Sequence, residues 1–502
     1  MQAYYREMDS LQQVGKMEVI RRPESLPVVP LLELFTRKID NVTKQDVYKT
    51  RIVARGDLQN NMSSVFSPVA STVALRIFLL YGLQFKSGFR QLDVSTAFLY
   101  GRMKTPVYLE LPAGHREKLK WTKNKGQADK CPFVWKTYTS IYGLTQAPKI
   151  WNDTINTFLL KNKFKSLFSE PCIYFRLKNF KPSLLLLLYV DDVLYCGDER
   201  DVAEFENVIA SRFKVKITSK AEQFIGVSLV QKKNCLYLNQ RKYIEEAVQK
   251  FGLENSKSMF TPIDLNCLEN GNSQTLEDKR LFQQLIGVLN YVTNTSRPDT
   301  AFATSFLARS LVSPTLADFK RGKRCLQYLF TTRSLCLKYI NSQDKVWDLK
   351  MYVDASFANA SDRKSIYGFV IFVQGCVVHY KSKKEPMVTL SSTESEFIAL
   401  ALSIRDLKWI QCILTELKIQ LKTAVVYSDN QGAVRIANSR EGGGRTRHID
   451  IKLQFTKQAV LDKEIIVRYV DTNDNVADIF TKPLGRLNFS KLALQMLHEF
   501  EA

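Results

Sequence analysis

The chain has 502 residues, 45% of them hydrophobic and 24% charged, a balance that excludes a disordered or fibrous protein. Its 72 Lys and Arg against 50 Asp and Glu leave +22 at pH 7, which favours a polyanionic partner because released counterions drive such association. About three domains are expected at this length.

Taken in order, helical patterning covers Met1 to Leu11, a proline-rich connector lies near Pro23 to Pro30, and a basic segment runs from Tyr48 to Gln59. From Phe89 onward short β-type runs alternate with helical stretches, without the regular spacing of a Rossmann fold, so a sheet backed by helices is expected. Between about Ser256 and Asn341 the pattern turns mostly helical, with Phe282, Leu285, Ile286 and Leu289 on one face. A new unit begins near Asp348. It has strands over Leu349 to Asp354 and Tyr367 to Val373, a helix over Thr393 to Leu417, a strand over Ala424 to Ser428, a Gly triplet at 442–444 and a helical C-terminal segment. The expected fold class is α+β or α/β and multidomain, divided as 1–255, 256–345 and 346–502.

The longest apolar run, Leu184 to Val190, is far short of the roughly 20 residues of a membrane span, so none is expected. Met1 to Arg6 leads into no apolar stretch, so no secretory leader is expected either. Nine cysteines lie between Cys131 and Cys412 without a Cys-x-x-Cys pair, which suits free thiols rather than a disulfide framework or zinc site.

The sharpest feature is Leu184-Leu185-Leu186-Leu187-Leu188-Tyr189-Val190-Asp191-Asp192-Val193-Leu194-Tyr195-Cys196-Gly197, where two adjacent acids interrupt an apolar β run. Carboxylates held beside buried strands lose hydration and repel each other, so they call for cations. A plain turn between paired strands is the alternative, since Asp is common in turns. Asp93, at the end of the strand-like run Arg90-Gln91-Leu92-Asp93-Val94, is a further acid in such a setting. Nucleotidyl transfer with two metals needs carboxylates from separate strands, which Asp93, Asp191 and Asp192 supply.

At these residues the chain resembles the reverse transcriptase and ribonuclease H region of the Pol polyprotein of copia-type LTR retrotransposons. Tyr189-Val190-Asp191-Asp192 is similar to the family's signature, and Leu92-Asp93-Val94-Ser95-Thr96-Ala97-Phe98-Leu99 to its preceding acidic motif. Tyr48-Lys49-Thr50-Arg51-Ile52-Val53-Ala54-Arg55-Gly56 resembles its basic finger segment, and Ser140-Ile141-Tyr142-Gly143-Leu144-Thr145-Gln146-Ala147-Pro148 its template-side motif. The resemblance implies a right-hand polymerase of fingers, palm and thumb, then a connection and a ribonuclease H-like domain. By it Lys49, Arg51, Phe98, Tyr142 and Gly143 would surround the incoming nucleotide, with Phe98 blocking a ribose 2′-hydroxyl. Gln146, and the hairpin residues Phe224 and Gly226 of Phe224-Ile225-Gly226-Val227, would meet nucleic acid. Thr145 stands where the family usually has Lys or Arg.

Ribonuclease H chemistry needs acids around two Mg²⁺ ions. Asp354, Asp429 and Asp478 follow in family order, Asp478 within Ala477-Asp478-Ile479-Phe480-Thr481-Lys482-Pro483-Leu484. The fourth acid is Glu394 or Glu396, which point roughly 200° apart on one helix, so only one can serve. With Ser391 as N-cap, Glu394 falls at N3 of a capping box and has a local job. Glu396 is therefore the catalytic choice. Asp362-Arg363-Lys364-Ser365 and the segment bearing Arg445, Arg447 and His448 also resemble nuclease segments of the family, with basic residues suited to hybrid phosphates.

The resemblance thus implies two Mg²⁺ per active site, an RNA template, a DNA primer and product, RNA/DNA hybrid and dNTPs as partners. Integrase and capsid of the same element are further expected partners, in a cytoplasmic virus-like particle with access to the nucleus. No integrase zinc spacing, D-T-G or D-S-G protease triplet or Cys-rich knuckle occurs in these residues. The rival readings are a decayed or domesticated product that binds nucleic acid without turnover, and an RNA-directed RNA polymerase. Phe98 and the nuclease acids speak against the second.

Overall fold

The computed structural model describes residues 2–39, 45–59, 65–118, 131–268, 273–342, 344–360, 362–439 and 447–500. No helix among them is long and apolar enough to cross a membrane.

The leucine run becomes the centre of a six-stranded antiparallel sheet, in the order Val215–Thr218, Arg90–Val94, Asp192–Gly197, Lys181–Tyr189, Ile173–Lys178 and Lys165–Ser166. Its lack of polar alternation has a direct cause, because both faces of the strand are covered. Leu185 and Leu187 enter one core beneath the helix Thr72–Gly82. Leu184, Leu186 and Leu188 enter another with Trp151, Ile155, Phe205 and Ile209, from the helices Ala147–Lys161 and Glu199–Arg212.

Above this palm a long hairpin pairs Leu31–Ile39 with Asp46–Ala54. It is braced by the helix Gln2–Gln13, whose Tyr4, Met8 and Leu11 share a core with Ile52 and Ala54. The strand Glu18–Arg21 pairs with Phe133–Thr139. The residues ahead of Tyr48 therefore anchor the fingers.

A five-stranded sheet follows, in the order Gln223–Phe224, Val227–Lys232, Cys235–Asn239, Leu335–Ile340 and His498–Glu499. The mostly helical stretch thus also contributes a strand, Leu335–Ile340, and the end of the chain returns to pair with it. The C-terminal sheet runs Cys376–Lys384, Ile366–Val373, Leu349–Ser356, Ala424–Ser428 and Ile465–Tyr469, its first three strands antiparallel and its last two parallel. The helix Ser392–Glu416 packs against it through Phe397, Leu400, Ile404 and Leu407.

One hydrophobic core runs from the palm into this last sheet, linking Phe78 and Leu80 with Tyr339, Phe369 and Val378. At its centre Arg76 is buried, donating to the carbonyls of Val378 at 3.1 Å and Thr295 at 3.1 Å, to that of Asn294, and to the Tyr380 hydroxyl at 2.8 Å. A single guanidinium thus ties the palm helix, the connection and the C-terminal sheet. Removing it leaves several buried acceptors unpaired, at about 1–3 kcal/mol each. Arg76→Ala is expected to lower the thermal unfolding midpoint by several degrees; an unchanged midpoint in differential scanning calorimetry would refute the assignment.

Candidate active sites

In the palm, Asp93 and Asp192 are direct cross-strand partners, Asp192 following the turn formed by Val190 and Asp191. Leu92 and Val94 point into the core, so strand alternation turns Asp93 to the opposite face. The Val94 N–H donates to the Asp191 carbonyl at 2.9 Å, and Trp151 Nε1 to that of Val190 at 2.6 Å, fixing the turn from both sides.

Burial, reinforced by Asp191, raises the Asp93 carboxyl above its ordinary range, against the pull of Lys49, Lys216 and Arg51. Burial also raises Asp192; Gln91 Nε2, donating at 3.2 Å, opposes this, and Asp191 and Asp93 add to it. Three partly buried carboxylates on one turn and its partner strand offer hard oxygen ligands, which suits divalent cations.

Facing the acids, Arg51 lies over the Tyr142 ring, 5.4 Å from its centroid, and Phe98 meets that ring edge-on at 4.6 Å. The Ala54 N–H donates to the Tyr142 carbonyl at 2.7 Å. Gly143 has φ +90, and a Cβ there would lie 2.1 Å from the Ala54 carbonyl oxygen, so only glycine lets this turn dock on the finger strand. Lys49, Arg51, Phe98, Tyr142 and Gly143 are thereby drawn towards the acids. Glu7, which carried no motif, lies beside Lys49, Arg51 and Tyr142 and accepts from the Ile52 N–H; burial raises its carboxyl.

Thr145 binds Gln59 Oε1 through its N–H at 3.1 Å and its hydroxyl at 3.2 Å, a tie that differs from the usual cation. Gln146 lines a cavity of about 960 Å³ with Arg102, Lys104, Lys149 and Lys161. In the hairpin, Ile225 and Gly226 form the turn, and Tyr291 donates to the Ile225 carbonyl at 2.8 Å. Phe224 departs from its expected contact with nucleic acid. Its ring is 1% exposed and packs in the central core, because strand alternation turns it inward.

In the C-terminal sheet, Asp354, Asp429 and Asp478 each bring a carboxylate oxygen, all within 4.8 Å of one another. Asp354 lies on the central strand, and Asp429 follows the parallel strand Ala424–Ser428. Asp478 sits in the short turn Val476–Phe480, held by Asn475 Nδ2 donating to the Val353 carbonyl at 3.1 Å and by the Thr481 hydroxyl donating to Asp354. Opposite Asp354, Gly368 admits Phe480, whose Cβ would lie 2.3 Å from an added methyl group.

Glu396 joins them from the helix, accepting from the Ala355 N–H, while its buried Oε2 has no hydrogen-bond partner. Glu394 takes the N-terminal role: its N–H donates to the Ser391 hydroxyl at 3.1 Å and its carboxylate accepts from Leu390 N–H at 2.7 Å. Burial first, then the neighbouring acids, raise Glu396 well above the usual range and Asp478 to about 7. An orphaned buried oxygen beside three convergent carboxylates fits a divalent-metal site. Lys482, not singled out from sequence as a site residue, lies 2.9 Å from Asp478 Oδ1 and 3.9 Å from Asp354 Oδ2.

Arg363 lines a cavity of about 940 Å³ with Arg309 and Arg321. Arg445 lies outside the described residues. Arg447 and His448 begin the helix Arg447–Leu461.

The profile of the reverse transcriptase (RNA-dependent DNA polymerase) family matches residues 15–265, half of the chain, and the chain belongs to that family. It is 31% identical to the retrovirus-related Pol polyprotein from transposon TNT 1-94 of Nicotiana tabacum, over 97% of this chain and 37% of that one. It is also 31% identical, over 63% of its length, to the transposon Ty5-1 protein of Saccharomyces cerevisiae, which is covered in full. The foamy viral protease-reverse transcriptase in complex with dsDNA aligns over 94% of this chain and 83% of that one, at 13% identity and a TM-score of 0.48. The chain spans about a third of the length of the plant Pol relatives it matches.

Beside the first turn of the helix that carries Glu396, Glu385 is 1% exposed, with Oε1 accepting from the Ser395 hydroxyl at 3.0 Å and Oε2 unpaired. Burial pushes its carboxyl up to about 7 from 4.5. A raised acid contributes stability that is present below its unfolded value and lost as pH rises through the folded one. Glu385→Gln keeps an acceptor for Ser395 and removes the charge. It is expected to raise the melting temperature at pH 8 by a few degrees and leave it unchanged near pH 4; a gain independent of pH would contradict this.

Proposed function

We propose that the chain is an RNA-directed and DNA-directed DNA polymerase with ribonuclease H activity, converting retrotransposon RNA into double-stranded DNA at two separate sites. The observation that carries the reading is the pair of carboxylate sets, one on each of two sheets of the same chain. At each, Mg²⁺ bound to the acids would supply Lewis-acid activation of the attacking oxygen and neutralise the leaving group.

In the palm, Asp93, Asp191 and Asp192 hold the charge that positions the primer terminus and triphosphate. Arg51 and Lys49 face the same space and would bind the triphosphate as fixed cations. Phe98, packed edge-on against Tyr142, forms a firm wall where a 2′-hydroxyl would project, which selects deoxyribonucleotides. In the C-terminal site Asp354, Glu396, Asp429 and Asp478 would hold the metals and align water against the RNA strand. Arg309, Arg321 and Arg363, between connection and nuclease loop, would bind phosphates of the hybrid. RNA template, DNA primer, hybrid and dNTPs are the partners on this reading, with integrase and capsid of the element alongside in a cytoplasmic particle.

Mg²⁺-dependent extension of a DNA primer on an end-labelled RNA template reads both activities in one tube. Asp191→Asn is expected to abolish extension, by at least about a hundredfold, and spare cleavage, and Asp354→Asn to do the reverse. Loss of both activities from either change would sink the two-site reading, and tight hybrid binding with neither activity would favour a decayed element. In the same assay Phe98→Ala is expected to raise ribonucleotide incorporation relative to deoxyribonucleotides; an unchanged ratio would remove the gate.

A further inference from the structure

Lys482 is four residues beyond Asp478, at the end of the turn that delivers that acid. Its ammonium lies 2.9 Å from Asp478 Oδ1 and 3.9 Å from Asp354 Oδ2, with Asp429 and Glu396 completing the ring of acids around it. The neighbouring Thr481 hydroxyl is already committed to Asp354, and Pro483 follows, so the backbone delivers the lysine from a constrained turn. The contact with Asp478 is a close ion pair, and the same ammonium also lies within reach of Asp354. The side chain is 33% exposed, so the ammonium has a route back to solvent.

We infer that Lys482 is a built-in counter-ion of the nuclease carboxylates, occupying the cluster before metal loads and displaced when it does. The inference rests on the reading that Asp354, Glu396, Asp429 and Asp478 hold metal. Four acids converging on a buried strand repel one another without a cation. A single ammonium offsets part of that repulsion and keeps the turn bearing Asp478 against the sheet. It is also a tethered competitor: a divalent ion must approach past a resident positive charge, so the site has a weaker metal affinity than its acids alone would give. Lys482 is thus a positioning residue, acting through the acids.

The test uses the full chain carrying Asp191→Asn and Asp192→Asn, so that the palm acids do not contribute, with Mn²⁺ alone as probe. Free Mn²⁺ is followed by electron paramagnetic resonance. Lys482→Met is expected to lower the Mn²⁺ midpoint by about tenfold, as loss of one adjacent like charge in a partly buried site would, and Lys482→Arg to stay near the parent. Equal midpoints in all three proteins would overturn the inference while leaving the metal site standing. Mn²⁺ uptake in the parent that is insensitive to a further Asp354→Asn would overturn the metal reading itself. Should Lys482→Met not fold, acylation of Lys482 in the unsubstituted chain, read by peptide mass, decides the matter. Reactivity is expected to rise on adding Mn²⁺, and constant reactivity would refute displacement.

Discussion

A carboxylate at the end of a buried strand is the constraint around which both halves of the molecule are arranged. Strands such as Lys181–Tyr189 and Leu349–Ser356 need apolar side chains up to their ends to be buried, and the acids beside them lose water as a result. In the palm, Lys216 from the neighbouring strand and Lys49 and Arg51 from the finger hairpin answer this, close enough to oppose the rise of Asp93. In the C-terminal sheet, Lys482 answers from within the turn itself. The two solutions differ because the palm acids face an open cleft beneath the fingers, whereas Asp354, Glu396 and Asp478 are nearly enclosed. Their burial makes cation binding more consequential for folding at the second site than at the first.

The sites share a frame because the sheets share a core. The helix Thr72–Gly82 presents apolar side chains around its circumference and is covered by the palm on one side and by the strand Cys376–Lys384 on the other. The helix Ser392–Glu416 extends the link. Its first turns carry Glu396 to Asp354, Asp429 and Asp478. Its far end holds the palm loop, where Trp409 Nε1 donates to the Ser169 carbonyl at 2.9 Å and Glu416 accepts from the N–H groups of Phe168 and Ser169 at 2.6 and 3.1 Å. A nucleic acid crossing from one site to the other would therefore run along a body whose spacing is set by packing rather than by a linker.

Local pattern was legible where one segment determines its own structure. The strand Ala424–Ser428 and the helix beginning beside Ser391 were readable from alternation and a cap. So was the opposed facing of Glu394 and Glu396, which follows from helix geometry alone. Long-range pairing was not. Cys376–Lys384 carries His379, Lys381, Lys383 and Lys384, a polar pattern that becomes a strand only because Ile366–Val373 lies beside it. Ile465–Tyr469 is a short edge strand completed by Ala424–Ser428, and Leu335–Ile340 sits inside an otherwise helical stretch. Phe224 was misjudged because a motif names a residue without saying which face of a hairpin it occupies. Lys482 carried no signal by itself, since its role depends on Asp354, far away in sequence, meeting Asp478 in space.

Two positions show where local preference yields to the sites. Val190 and Thr96 are β-branched yet have φ of 58 and 54, in the left-handed region that such residues avoid. Each such residue costs on the order of 1–3 kcal/mol and persists only when its surroundings over-determine it. Val190 immediately precedes Asp191, and the bond from Trp151 to its carbonyl holds it there. Thr96 lies between Asp93 and Phe98, where the chain must leave the sheet and turn back at once to bring the ring against Tyr142. A relaxed backbone at either place would re-aim an acid or the aromatic wall by a rotation that neither could absorb. Among the positive-φ residues of the chain, these two flank the palm acids and Phe98, and the apolar sheet beneath supplies stability that sustains them.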